Sequence, residues 1–221
     1  SGFDTVLGSG SADTITASTS GDVNLQGNGG NDTLRFTVYG LTSTDSVDGG
    51  GGTDTLVISD AGTISDAQFT NVTLLESVTL TGASTLTAGT EASQAGIAIV
   101  TTGSGNTTVN TSLNGYDLTL EAASLGDGAS LTLTGSASSN DFTVNNITGS
   151  VLASGTSGSL TINAGDASDN AIGVSTGSGN TTITGSGASD TITVNADAMA
   201  DNTTLDINGS DTYTVSNLEA N

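Results

Sequence analysis

A short phrase recurs along this chain: a glycine-rich loop, one aspartate, a threonine and then a branched apolar residue. It reads Gly8-Ser9-Gly10-Ser11-Ala12-Asp13-Thr14-Ile15, Gly27-Asn28-Gly29-Gly30-Asn31-Asp32-Thr33-Leu34 and Gly49-Gly50-Gly51-Gly52-Thr53-Asp54-Thr55-Leu56. A looser copy stands at Gly185-Ser186-Gly187-Ala188-Ser189-Asp190-Thr191-Ile192. Glycine admits positive φ and close backbone approach. The carboxylate is a hard oxygen ligand, and the threonine-apolar step opens a strand. A loop–strand unit this short cannot bury its own apolar side, so it must stack on copies of itself.

The spacing sets the geometry of the stack. Asp4, Asp13, Asp22 and Asp32 follow one another at steps of about nine or ten residues. Two turn-and-strand units then make one coil. Asp4 is expected to stack with Asp22 on one edge, and Asp13 with Asp32 on the other, with Asp54 continuing the second edge. Coils separated by about 4.8 Å bring the loops of two coils within reach of one cation. The fold expected is all-β, a parallel β-solenoid of the β-roll or β-helix kind, with calcium-binding Gly/Asp turns and about 18–22 residues per coil.

Beyond Asp54 the loop phrase fades and the strand rhythm persists. Thr79-Leu80-Thr81, Thr85-Leu86-Thr87, Thr132-Leu133-Thr134, Thr182-Ile183-Thr184, Thr191-Ile192-Thr193 and Thr212-Tyr213-Thr214 show period-2 alternation between Gly, Ser and Asn clusters. The string Leu133 to Asn145 matches Ile183 to Asn195, which puts Asn140 in the slot of Asp190, and a third copy puts Asn170 there. Asparagine in that slot points to turn capping more than to metal, whereas Asp190 and Asp211 keep the carboxylate. The stretch from Thr63 to Gly128 is expected to be solenoid with little metal. Ser65 to Phe69 is expected to form one helical turn, with Asn71 to Leu75 returning to strand. Residues 1–58 read as the calcium-binding coils and 59–221 as a continuing Thr/Ser/Gly/Asn-rich solenoid, one rod in all.

Composition narrows the function. Among 221 residues there are 23 Asp+Glu against a single Lys+Arg, Arg35, which gives a formal net charge of -22. Such a surface repels nucleic acid and anionic lipid and favours cations. Low hydrophobicity with high charge is also the signature of disorder, but proline is absent and the apolar residues alternate. A fold that neutralises carboxylates with metal reconciles charge with compactness. Trp and Cys are absent and Phe and Tyr number only 4 and 3, which favours a thin core. No apolar run approaches the roughly 20 residues of a membrane span, so membrane insertion is not expected. The opening Ser1-Gly2-Phe3-Asp4 and the end at Glu219-Ala220-Asn221 read as a piece of something longer.

The loops at Asp13, Asp32 and Asp54 resemble the nonapeptide of the repeats-in-toxin (RTX) family, Gly-Gly-x-Gly-x-Asp-x-apolar-x. The loop at Gly49 to Leu56 fits fully, that at Gly27 to Leu34 departs only by Asn28, and that at Gly8 has serine in two glycine slots. The resemblance covers about residues 3–58. It implies several Ca2+ ions bound between successive turns by Asp4, Asp13, Asp22, Asp32 and Asp54, and more weakly by Asp190 and Asp211. The loop glycines Gly8, Gly10, Gly27, Gly29, Gly30, Gly49, Gly50 and Gly52 would present carbonyls to them. It also implies export by a one-step bacterial route. The body of the chain is similar in texture to calcium-dependent surface-layer (S-layer) proteins of Gram-negative bacteria and to related large adhesins.

Catalysis is not expected, since His, Cys and Lys are all absent and a parallel β-helix enzyme acting on acidic sugars needs a basic residue for developing charge. The leading expectation is an extracellular, self-assembling building block of a bacterial surface layer or filament, with cell-surface polysaccharide met through regions outside this chain. The alternative is a secreted adhesin or binding module, including an ice-binding Thr-x-Thr face that Thr132, Thr182 and Thr191 would locate. Tyr39, Tyr116 and Tyr213 are the tyrosines available to a binding platform, and read more simply as strand residues.

Overall fold

The computed structural model describes residues 4–17, 21–126, 128–135, 140–165, 171–187 and 190–218. Asn170 and the loop residues Ala188 and Ser189 lie outside them. Each early coil contributes two strands: β1 (Asp4–Leu7) and β2 (Thr14–Thr16), β3 (Val23–Gln26) and β4 (Thr33–Phe36), β5 (Ser46–Asp48) and β6 (Thr55–Ile58). The fourth coil is wider. It holds β7 (Thr63–Ile64), a 3-10 turn at Asp66–Phe69, β8 (Val72–Thr73) and β9 (Ser77–Leu80). Next come β10 (Ser84–Ala88), the α-helix α1 (Thr90–Ala95) and β11 (Ile99–Thr101), then β12 (Thr107–Thr111) and β13 (Leu118–Glu121). The later coils are β14 (Ser130–Thr134) with β15 (Phe142–Ile147), and β16 (Ser150–Gly155) with β17 (Leu160–Ala164). They end in β18 (Ala171–Ser175), β19 (Thr181–Thr184), β20 (Thr191–Asn195), β21 (Leu205–Asn208) and β22 (Thr212–Ser216).

The chain is a parallel β-solenoid of about nine turns. One wall is a sheet of 10 strands in the order β2-β4-β6-β9-β11-β13-β15-β17-β19-β21. It crosses residue 58 without interruption. The facing side is split between a sheet of 4 strands, β1-β3-β5-β8, and one of 8, β22-β20-β18-β16-β14-β12-β10-β7. The wide fourth coil carries a strand of each. Helix α1 packs against β8, so the four-strand sheet ends there.

Register follows from alternation. In the ten-strand sheet Ile15, Leu34, Leu56, Val78, Val100, Leu120, Val144, Ile162 and Ile183 stack in one inward column, all buried. Each side chain so buried contributes about 1.5–3 kcal/mol. A second inward column runs beside it in places, as Phe36, Ile58 and Leu80 and again as Leu118, Phe142 and Leu160. Coil length varies more widely than the expected 18–22 residues: in-register contacts join residues 18 apart at Asp141 and Ser159 but 24 apart at Asp117 and Asp141.

Two helical pieces interrupt the strands. The expected turn near Phe69 is present, and Val72–Thr73 returns to strand. Helix α1, unforeseen in the sequence, is held by the coil before it. Asp66 Oδ1 accepts the N–H groups of Gly89 (2.7 Å) and Ala92 (2.9 Å), and Oδ2 that of Glu91 (3.2 Å). Gly96, at φ 100°, ends the helix in the left-handed conformation.

Candidate cation-binding edge

The first three Gly/Asp loops stack at one corner of the solenoid, each leading into a strand of the ten-strand sheet. Thr14, Thr33, Thr55 and Ser77 are in register, which places Asp13, Asp32, Asp54 and Glu76 one above another. Their side chains form a ladder. Asp13 N–H donates to Asp32 Oδ1 (2.7 Å), Asp32 N–H to Asp54 Oδ1 (2.6 Å) and Asp54 N–H to Glu76 Oε2 (2.6 Å). One oxygen of each acid therefore closes the turn of the coil before it.

The second oxygen distinguishes the loops. Asp13 Oδ2 accepts Ser9 N–H (2.6 Å) and Ser9 Oγ–H (2.9 Å). Asp32 Oδ2 and Asp54 Oδ2 are buried with no hydrogen-bond partner, on residues that are 1% and 0% exposed. The slot filled by Ser9 holds Asn28 in the second loop and Gly50 in the third. A buried ionised oxygen left unpaired is costly, so these two atoms call for a positive ligand. Burial raises the Asp54 carboxyl above its ordinary value, and the charges of Asp32, Glu76 and Asp48 push the same way, against the N–H bond from Asp32.

The loop backbone is drawn against these oxygens. A Cβ on Gly27 would collide with Asp32 Oδ2 and the Gly49 carbonyl, and one on Gly49 with the Leu74 carbonyl, at 2.8 Å from Asp54 Oδ2. Gly8 faces the Gly27 carbonyl in the same way. Carboxylate and carbonyl oxygens of consecutive coils thus converge where only glycine fits. Gly30, Gly50 and Gly52 take positive φ at the loop tips, Gly29 bridges to Gly51, and Gly10 stands in open space. No group of three or more acidic side chains converges on one point among the described residues. A cation here would be held by one or two carboxylates completed by backbone carbonyls, a donor set suited to calcium.

The other expected ligands are arranged differently. Asp4 is in register with Val23, one residue away from the expected Asp22. A pairing with Asp22 would set Val6 against Asn24 in place of Leu25 and turn the apolar face outward. Asp4 and Asp22 are exposed, and Asp22 Oδ1 accepts Thr44 Oγ–H (2.7 Å). The buried acid on that edge is Asp45, whose oxygens take Val23 N–H, Thr42 N–H and Thr42 Oγ–H, so it is fully satisfied. Asp190 and Asp211 are buried and in register, but before strands of the eight-strand sheet. Asp190 N–H donates to Asp211 Oδ1 (3.3 Å), Gly187 N–H to Asp211 Oδ2 (3.4 Å) and Ser186 Oγ–H to Asp190 Oδ2 (2.7 Å), while Asp190 Oδ1 is buried with no hydrogen-bond partner. Asn140 precedes a strand of the ten-strand sheet instead, so its sequence match to Asp190 is not a match of position. Its Nδ2 donates to Thr111 Oγ1 and the Leu113 and Tyr116 carbonyls, a capping role.

Sequence reasoning missed Glu76 and Asp45, because neither follows a glycine loop. The signal for Glu76 is its place 22 residues after Asp54. Comparisons with family models, curated proteins and solved structures returned no match to this chain.

Proposed function

We propose that this chain is a calcium-stabilised structural solenoid, a secreted building block of a bacterial surface layer or surface filament that assembles with copies of itself. The observation that carries the calcium reading is the pair of buried, unpartnered oxygens Asp32 Oδ2 and Asp54 Oδ2 beside the stacked glycine carbonyls. They sit in a chain of net charge -22, where stacked like charges cost on the order of 1–4 kcal/mol per pair. A divalent ion between coils reverses that sign. The RTX-like and S-layer-like character of the sequence supports placing the protein outside the cell, and the reading gives it no catalytic role.

The test is circular dichroism and electron microscopy with and without calcium. Millimolar calcium should order a chain that is largely unfolded in chelator, and should then produce sheets or filaments. Full β content in excess chelator would sink the calcium reading. Monomers alone at high protein and calcium concentration would sink the assembly reading.

A second reading, an ice-binding adhesin, is favoured by one feature. Thr33, Thr55, Thr119, Thr143, Thr161 and Thr182 share an outward column of the ten-strand sheet, interrupted by Ser77 and Ile99. Thr132 and Thr191 lie on the eight-strand sheet, so the three threonines expected to mark one face mark two. Absence of thermal hysteresis would remove this reading.

A further inference from the structure

Tyr39 is the one exposed aromatic side chain among the described residues, 87% accessible, whereas Phe36, Phe69, Phe142 and Tyr116 are buried and Tyr213 is half-buried. It stands beside an open cleft of about 350 Å³ where the four-strand sheet gives way to the eight-strand sheet. Val38 and Leu41 form the apolar floor, and Thr42, Thr63 and Ser65 bring hydroxyl groups. No Asp or Glu lines the cleft, although the chain carries 23 of them.

The turn that presents Tyr39 is pinned from several sides. Gln68 Nε2 donates to the Val38 carbonyl (2.9 Å) and the Leu41 carbonyl (2.8 Å), Val38 N–H donates to Asp60 Oδ1 (2.6 Å), and Thr42 N–H to Asp45 Oδ2 (2.7 Å). The acids nearest the cleft are thereby engaged with backbone and turned to structural use. A pinned backbone that presents an aromatic ring beside a hydroxyl rim lowers the ordering cost of binding.

We propose that this cleft is a subsite for a neutral saccharide, with one sugar ring stacked on Tyr39 and its hydroxyls bonded along Thr42, Thr63 and Ser65. An anionic ligand is disfavoured by the charge of the whole molecule. A cationic one would find no carboxylate in the lining. A neutral ring with an apolar face and a hydroxyl edge fits both surfaces, and the cleft volume lies near the lower bound of small-molecule sites, about 300–1,000 Å³. The site is remote in its chemistry from the cation edge and stands whether or not the calcium reading holds.

Ring-labelled tyrosine gives a readout from only three residues. The full chain, in calcium, is titrated with maltohexaose, cellohexaose and hexagalacturonate while the tyrosine ring signals are followed by NMR. At least one neutral hexasaccharide should shift Tyr39 saturably, with a dissociation constant on the order of 1 mM, while Tyr116 and Tyr213 stay fixed. Tyr39→Ala should weaken binding at least about 10-fold, and Tyr39→Trp should retain it. The proposal is overturned if neither neutral sugar moves Tyr39, if hexagalacturonate binds as well, or if Tyr39→Ala binds like the parent. A Tyr39 shift driven by protein concentration alone would make the cleft an interface between copies and overturn it too.

Discussion

Ser9, Asn28 and Gly50 occupy one slot in three stacked loops, and of these only Ser9 places a hydroxyl on the aspartate four residues later. Ser9 gives Asp13 both an N–H and a hydroxyl, and Ser186 repeats the hydroxyl contact for Asp190. Asn28 and Gly50 leave Asp32 and Asp54 each with an orphan oxygen. The loop at Gly8 is therefore the weaker cation site of the three for a stated chemical reason, whereas Asp190 keeps a buried, unpartnered Oδ1 despite its contact with Ser186. Ser9→Gly keeps the backbone N–H and removes the hydroxyl, so it should raise the demand for a cation at Asp13 Oδ2 without orphaning that oxygen. It should cost about 1 kcal/mol at limiting calcium and less at saturating calcium, as read by urea denaturation at the two calcium levels. An equal loss at both calcium levels would remove the distinction between the loops. Asp54 adds a pH term. Its raised carboxyl means that the folded state holds this proton more tightly than the unfolded chain does. The penalty for ionising it is thus absent below the ordinary value of 3.8 and fully present above the raised one. In chelator the chain should therefore gain β content as pH falls through that window, and Asp54→Asn should flatten this dependence in circular dichroism.

At the scale of elements, the wide fourth coil is the point where the facing side changes from one sheet to another, and Asp66 organises it. Three N–H groups at the start of α1 rest on this one carboxylate. Asp66→Ala should cost about 1–2 kcal/mol, measured by urea unfolding at saturating calcium, with strand content kept. An unchanged midpoint would mean that α1 is held by packing on β8 alone. Many of the strands were legible from the sequence, because apolar residues alternate with threonine in β10, β14, β19 and β20 among others. Which wall a strand joins was not legible. Both walls use the same alternation, so Asn140 and Asp190 look equivalent in sequence and stand on different sheets. The edge acids announced by glycine, Asp13, Asp32 and Asp54, were found. Glu76 was hidden because its loop is only Leu74-Leu75, with Leu74 itself at φ 53°. Helix α1 escaped notice because its six residues are too few to show a helical period.

For the whole molecule, two electrostatic problems coexist and respond differently to salt. A net charge of -22 spread over the surface repels itself through solvent, and that repulsion is screened once the Debye length shrinks to about 3 Å at 1 M salt. The orphan oxygens of Asp32 and Asp54 are buried, where screening hardly reaches and a bound cation would supply the missing partner. Sodium chloride at about 1 M should therefore compact the calcium-free chain without restoring its full β content. Calcium at millimolar level should restore it even in low salt. Asp32→Asn with Asp54→Asn removes both buried charges and should lessen the dependence on calcium, while leaving the response to sodium chloride nearly unchanged. The measurement is a pair of circular dichroism titrations, one with each salt, on parent and double variant. If sodium chloride alone refolds the parent as completely as calcium does, general self-repulsion is the whole of the effect and the edge of stacked aspartates is no clamp.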